Sequence, residues 1–136
     1  KTLISIMLRK KIKLDGGGLS NRSFIYSDDV SSALMEIKRK GKLGEIYHIT
    51  NEKMYKIKDI VKIICKNMDV EFNDFTKIGS ERLGKDFSYD MSSKKLNKIG
   101  WKPKTNIFFG IDQTKKWILN NFEKLKKIKL KYQHKK

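Results

Sequence analysis

Three consecutive glycines at positions 16–18 are the feature that most restricts the folds open to this chain. Before them, Ile12 and Leu14 alternate with charged residues, a pattern that predicts a short strand with one buried face. After them, the segment Ser23–Tyr26 predicts a second short strand. Because glycine adopts backbone angles that other residues avoid, the main chain can turn sharply here and a ligand can approach it closely. The segment therefore predicts a strand, a tight turn and a second strand.

Apolar residues at helical spacing follow this turn and predict two amphipathic helices. The first begins at Ser27 as its cap, followed by Asp28 and Asp29, whose charges suit the positive end of a helix dipole better than a catalytic role. Gly41 ends this helix, and Glu45–Thr50 then predicts a strand. Alternating strands and helices are typical of an α/β fold with at least some parallel pairing. The two apolar stripes are Val30, Ala33, Leu34 and Ile37, and Ile57, Ile60, Val61 and Ile64.

Smaller elements are predicted in the second half of the chain. Segment 70–78 is either irregular or a strand, and segment 87–91 has the pattern of a short strand. A short helix follows and ends at Gly100. We expect Trp101 to pack in the core rather than to stack on a ligand. The last helix is predicted to begin near Phe109.

The formal net charge of +17 is the strongest compositional signal, and it comes from 28 Lys and only four Arg. Such a charge permits binding to nucleic acid, anionic lipid or phosphorylated small molecules. Segment 124–136 alone carries seven Lys and no acidic residue, and we expect it to be a disordered tail or a fraying helix. No segment interleaves arginines with aromatic residues, so the sequence does not favour a specific nucleic-acid-binding site.

Several site classes lack support in the sequence. The single Cys65 is expected to be a buried thiol, and two His without ligand spacing predict no metal site. No apolar run approaches the roughly 18 residues of a membrane span, and no signal peptide is visible, so a cytoplasmic location is expected. No dinucleotide-binding glycine fingerprint is present. One Tyr-x-x-x-Lys, Tyr132–Lys136, falls in the basic tail and is attributed to chance.

Five short motifs occur in order along the chain, between residues 12 and 117. Together they resemble the C-terminal part of the extended short-chain dehydrogenase/reductase superfamily that acts on nucleotide sugars, nearest to the dTDP-glucose 4,6-dehydratases. The resemblance covers about residues 1–121. The motifs are Ile-Lys-Leu-Asp-Gly at 12–16, Arg-Ser-Phe-Ile-Tyr-Ser-Asp-Asp-Val at 22–30, Gly-Glu-Ile-Tyr-His-Ile at 44–49, Glu-Arg-Leu-Gly-Lys-Asp at 81–86, and the closing set Leu96–Thr105, Gly110–Ile111 and Thr114–Trp117.

The resemblance implies a fold and a domain division. The fold is α/β: the C-terminal portion of an extended Rossmann-type fold, with its last parallel strand and helices and a small substrate-binding α/β subdomain. The N-terminal dinucleotide-binding part is expected to be absent. Residues 1–123 would form the substrate-binding part of an NAD-dependent epimerase/dehydratase, and residues 124–136 the Lys-rich tail.

The resemblance also implies substrate-binding residues. Arg22 and Arg82 would reach the diphosphate of a nucleoside-diphosphate sugar from two separate loops, with the bidentate contacts that guanidinium groups make. The segment Lys13, Leu14 and Asp15 would line the nucleoside. Tyr55 falls near a position where these dehydratases often carry a substrate-binding Asn, and Lys85 stands where they carry His.

The family's reactions begin with the oxidation of a sugar hydroxyl by bound NAD, and elimination, epimerisation or decarboxylation follows. The resemblance implies that the NAD-binding turn and a catalytic Tyr-x-x-x-Lys pair lie N-terminal to Lys1. This chain alone would then be inactive, and the full-length enzyme is expected to be a homodimer. A UDP-glucuronate decarboxylase-like or a GDP-sugar dehydratase-like relative fits equally well, so the nucleotide, sugar and reaction stay open. Two other classes remain: a small basic nucleic-acid-binding module, and a fragment without function.

Overall fold

The fold of this protein was derived from a computed structural model that describes residues 1–81 and 84–128. Short strands alternate with helices through the first two thirds, and helices fill the rest. The helices are α1 (Thr2–Met7), α2 (Ser27–Lys40), α3 (Ile57–Asn67), α4 (Phe72–Phe75), α5 (Lys94–Lys98), α6 (Ile107–Asn120) and α7 (Phe122–Leu125). The strands are β1 (Ile12–Asp15), β2 (Asn21–Ser23), β3 (Met54–Lys56) and β4 (Thr76–Gly79).

The strands form two separate pairs. β1 and β4 are parallel, with Ile12 opposite Thr76 and Asp15 opposite Gly79. β2 and β3 are antiparallel, with Arg22 opposite Tyr55. The carboxyl ends of β1 and β4 therefore meet at the same edge, where the glycine turn 16–18 leaves the first strand. The parallel pair confirms the predicted α/β class.

The larger core lies where α1, α3 and α6 pack together over β1. The apolar stripe of α3 is its centre, because Ile60, Val61 and Ile64 are all buried as the spacing predicts. Leu14 of β1 joins it at 5 % exposure, as the strand alternation predicts. The other buried members are Leu3, Ile4, Ile6, Cys65, Ile111 and Ile118.

A smaller core joins α2 to α5 and to the segment before α6. Ala33 and Leu96 are fully buried there, and Trp101 is 5 % exposed, which confirms it as a packing residue. The Trp101 Nε1–H donates to Ser32 Oγ at 2.9 Å. Asp29 closes this core from the other side, because its carboxylate accepts the main-chain N–H of Lys104 at 3.1 Å and of Thr105 at 2.9 Å.

Three predicted strands differ from the structure because a strand needs a partner with which to form a ladder. The second strand spans Asn21–Ser23, so Phe24–Tyr26 lies outside it. Segment Glu45–Thr50 has no ladder, and Ile46 is 76 % exposed there. Segment 87–91 forms only an isolated bridge, between Asn21 and Ser88.

The structure also corrects details of the predicted helices. Ser27 is the first residue of α2 rather than its cap, and Leu34 on the predicted inner stripe is 56 % exposed. Asp29 is buried and binds segment 104–105, while Asp28 is exposed. The last long helix begins at Ile107, and the Asn106 side chain caps it by accepting the Phe109 N–H.

The basic tail is described only in part. Lys124 belongs to the short helix α7, and residues 129–136, including the Tyr-x-x-x-Lys at 132–136, lie outside the described residues. Throughout 1–81 and 84–128, each helix is too short or too polar to span a lipid bilayer.

Candidate functional site

Predicted site residues meet at the carboxyl edge of the β1–β4 pair. Lys13 and Asp15 are at the end of β1, and their side chains form an ion pair at 3.3 Å. Lys85 reaches the same edge from the loop after β4, with its ammonium 3.4 Å from the Asp15 carbonyl and 3.2 Å from Glu81 Oε1. Ligands of α/β proteins bind outside the carboxyl ends of parallel strands, so this edge is where a site is expected.

The exposure of these charged side chains differs. The Lys13–Asp15 pair is half exposed, with 54 % and 44 % of the side chains accessible, so it contributes little to stability and its partners can rearrange around a ligand. Lys85 is 14 % exposed and held by two acceptors. The Lys85 ammonium group is therefore held in place before any ligand binds. Leu14 lies between them in sequence, but its side chain is in the core, so it offers a ligand only its main chain.

The glycine turn packs closely on the start of α3. Gly16, Gly17 and Gly18 have φ values of 57°, 65° and 69°, a region that residues with a Cβ rarely occupy. A Cβ at Gly18 would lie only 3.0 Å from the main-chain nitrogen of Lys58. Position 18 therefore requires glycine for two reasons, conformation and space.

Arg22 lies beside this edge and binds the loop that follows Lys85. Its Nη1 donates to the main-chain carbonyls of Asn21 at 2.6 Å and Phe87 at 3.2 Å. Its Nη2 donates to the carbonyl of Asp86 at 2.9 Å. Because Lys85 and Asp86 are consecutive, one loop joins the glycine-turn edge to the Arg22 guanidinium. The structure thus brings Lys13, Asp15, Lys85 and Arg22 into one region.

An aromatic ring completes the surroundings of Arg22. The Tyr89 ring centroid lies 4.5 Å from Arg22 Cζ, a cation–π distance. The Tyr89 hydroxyl donates to Asp86 Oδ2 at 2.5 Å. Sequence reasoning did not single out Tyr89 or Phe87. The only available signal was their position just after the 81–86 motif, because main-chain acceptors leave no mark in the residue types.

Tyr55 lies opposite Arg22 across the β2–β3 pair. Side chains of directly opposed residues lie on the same face of a ladder. The Tyr55 ring is partly buried against the larger core, and the Lys53 ammonium lies 5.2 Å from its centroid. Tyr55 thus packs on the larger core from the strand next to Arg22, and its predicted contact with the substrate stays a prediction.

Arg82 and Leu83 lie outside the described residues. The flanking residues Glu81 and Gly84 are described, and Glu81 pairs with Lys85 at 3.2 Å. The predicted meeting of Arg22 and Arg82 on one diphosphate stays a prediction.

An apolar pocket of about 350 Å³ lies away from this region, between α1, α3 and α6. Its walls include Phe24, Ile60 and Ile111, and Lys1 is the one charged residue among those that line it. None of the predicted site residues that the structure describes contributes to it. The pocket lacks the convergent donors that a diphosphate requires.

The described residues do not fit a dinucleotide such as NAD. A dinucleotide-binding turn leads from a strand into a helix, whose N-terminal N–H groups bind the pyrophosphate. Here the glycine turn leads into β2 instead. In ranges 1–81 and 84–128 no cluster of metal-ligating side chains was found. Burial, with a smaller effect of Glu71, raises the pKa of the Cys65 thiol, which does not suit a nucleophile.

Comparisons with known proteins match most of this chain to part of several enzymes that are named for nucleotide sugars. No protein-family model matches it. It is 34 % identical over 124 residues to human dTDP-D-glucose 4,6-dehydratase, covering 88 % of this chain and 35 % of that protein. It is 33 % identical over 125 residues to the Arabidopsis thaliana trifunctional UDP-glucose 4,6-dehydratase/UDP-4-keto-6-deoxy-D-glucose 3,5-epimerase/UDP-4-keto-L-rhamnose-reductase, covering 90 % of this chain and 18 % of that protein.

Solved structures agree with these relatives. The Bacillus anthracis dTDP-glucose 4,6-dehydratase in complex with NAD matches with a TM-score of 0.81 at 26 % identity, over 90 % of this chain and 39 % of that one. The chain spans about a third of the human relative's length. On sequence identity and fold together, the chain is similar to part of the NAD-dependent epimerase/dehydratases, and the share of their length that it matches is consistent with a C-terminal portion.

Proposed function

We propose that this chain is the nucleotide-sugar-binding part of an NAD-dependent 4,6-dehydratase or epimerase, and that Arg22 binds the diphosphate. The observation that carries the proposal is the placement of Arg22 beside Lys85 and the glycine turn, at the carboxyl edge of a parallel strand pair. A diphosphate there would meet a guanidinium and a positioned ammonium, both of which donate to anionic oxygens.

The donors of Arg22 are divided between the protein and this ligand. A guanidinium has five N–H donors. Three of them bind the carbonyls of Asn21, Asp86 and Phe87. The Nε–H and one Nη2–H have no acceptor within residues 1–81 and 84–128, and these two donors suit bidentate contact with a phosphate.

The half-exposed Lys13 and Asp15 side chains, with the main chain of Leu14, would contact the nucleoside. The ligand class we favour is a dTDP- or UDP-hexose, because the related enzymes are named for dTDP-glucose and UDP-glucose. The sugar oxidation would use NAD and catalytic groups outside these 136 residues, so the chain alone binds without turnover. Homodimerisation and a cytoplasmic location of the longer enzyme stay predictions.

The test measures the binding of dTDP, UDP and thymidine to the 136-residue chain. Each ligand is titrated into the protein, and its dissociation constant is obtained from the shifts of peaks in two-dimensional NMR spectra. We expect dTDP to bind at least tenfold more tightly than thymidine. Arg22→Lys should weaken dTDP binding about 10–30-fold, because lysine cannot reproduce two parallel charge-assisted hydrogen bonds.

Arg39→Lys is the matched control, since Arg39 is 67 % exposed on α2 and its ion pair within residues 1–81 and 84–128 is with Glu36. It should leave affinity unchanged. The dTDP affinity of Arg82→Lys tests separately whether the second predicted arginine binds the diphosphate. Equal dTDP affinity in Arg22→Lys and the unsubstituted chain would contradict the proposal. So would binding to any duplex DNA that exceeds dTDP binding and falls steeply with salt, the behaviour of a nucleic-acid-binding module.

A further inference from the structure

The segment Asp86–Tyr89, called the clamp loop below, is fastened alongside the strand that carries Arg22. The Asn21 N–H donates to the Phe87 carbonyl at 2.8 Å. A parallel bridge joins Asn21 to Ser88. The loop is therefore fastened to β2 at Asn21, although its side chains are exposed.

This loop restrains the guanidinium along one edge and one face. Carbonyls of Asp86 and Phe87 accept from the two terminal nitrogens, which fixes the plane of the group. The Tyr89 ring covers one face at 4.5 Å. The ring is itself held, because its hydroxyl binds the Asp86 carboxylate at 2.5 Å.

The N–H donors of Arg22 that are not bound to the protein restrict the direction from which a ligand can approach. Nη1 uses both of its hydrogens on carbonyls, and Nη2 uses one. The Nε–H and one Nη2–H are left without an acceptor within residues 1–81 and 84–128, and both lie in the plane of the group. A ligand must then approach in that plane, since Tyr89 occupies one face.

We propose that the clamp loop pre-orients Arg22 so that its Nε–Nη2 edge faces the diphosphate, with Tyr89 as the positioning residue. This pre-orientation rests on the proposed function and explains how the site gains affinity. A flexible side chain that is already ordered before binding loses less conformational entropy when the ligand binds. Tyr89 acts through Arg22 rather than by contact with the diphosphate.

The test compares Tyr89→Leu, Tyr89→Phe and the control Tyr47→Leu, with dTDP and thymidine as ligands. Tyr47 suits this purpose because its ring also lies under a cation, Lys95 at 4.8 Å, in a different region. Tyr89→Leu should weaken dTDP binding about tenfold and leave thymidine binding unchanged. Tyr89→Phe keeps the stacked ring and should stay within about threefold of the unsubstituted chain. Tyr47→Leu should change neither affinity.

A second readout does not need the ligand. The ¹⁵Nε relaxation of Arg22 should report a rigid side chain in the unsubstituted protein and a mobile one in Tyr89→Leu. Equal dTDP affinity and equal Arg22 rigidity in Tyr89→Leu would overturn the clamp while the proposed function stands. An equal loss of thymidine and dTDP binding would overturn it too, since that marks general structural damage. Absence of dTDP binding by the unsubstituted chain would overturn the proposed function instead, and the relaxation data alone would then decide whether the loop holds Arg22.

Discussion

Asp29 provides the sharpest test of the packing. Its side chain is 6 % exposed in the first turn of α2, and its two oxygens accept the main-chain N–H groups of Lys104 and Thr105. The carboxylate thus joins α2 to the segment that leads into α6. Asn in its place has nearly the same shape but only one acceptor oxygen, and its amide group would face an N–H donor.

The cost of Asp29→Asn follows from those contacts. A hydrogen bond to a charged group contributes about 1.5–3 kcal/mol, and a buried donor left unpaired costs about 1–3 kcal/mol. We expect the free energy of unfolding to fall by about 2–3 kcal/mol. Asp28→Asn is the control, because exposed Asp28 shares only the interaction with the helix dipole, about 0.3–1 kcal/mol.

Urea unfolding followed by circular dichroism measures both variants. With a dependence of about 2 kcal/mol per molar urea, Asp29→Asn should lower the midpoint by about 1 M relative to Asp28→Asn. Midpoints that agree within about 0.2 M would contradict the link between α2 and segment 104–105, since the dipole interaction would then account for the whole effect of Asp29.

Two further predictions concern the glycine turn and the thiol. Gly18→Ala should destabilise the protein more than Gly17→Ala by about 1–2 kcal/mol in urea unfolding, because the strain of a positive φ is common to both but only a Cβ at Gly18 crowds main-chain atoms; equal losses would contradict the packing at that turn. Cys65 should resist a thiol reagent such as DTNB at pH 8 in the folded protein and react at once in denaturant, because burial raises its pKa and blocks access; rapid labelling of the folded chain would contradict its burial.

The sequence predicted those parts of the fold that depend on local pattern. The stripe Ile57–Ile64 lies on a helix in the core, and Leu14 is buried because β1 alternates. Segment Glu45–Thr50 has an equally good strand pattern but pairs with no described strand, because pairing depends on a partner rather than on the segment itself. Leu34 likewise has the helical spacing of the apolar stripe on α2, but it lies at the edge of the buried face of that helix and is largely exposed.

The candidate site was predictable only where residue type carries the chemistry. Arg22 could be singled out because arginine is rare in this chain and follows a glycine turn. The acceptors that orient it, the carbonyls of Asp86 and Phe87, are main-chain atoms brought close by the fold. The role of Tyr89 likewise emerged only from the distance between its ring and the guanidinium.

The most direct test of the central claim is the Arg22 Nε–H resonance during titration with dTDP. We expect this resonance, assigned by its loss in Arg22→Lys, to move downfield and become protected from exchange, while those of Arg9 and Arg39 do not change. Thymidine should leave all three in place. An Arg22 resonance that stays fixed while dTDP saturates the protein would show that the diphosphate binds elsewhere.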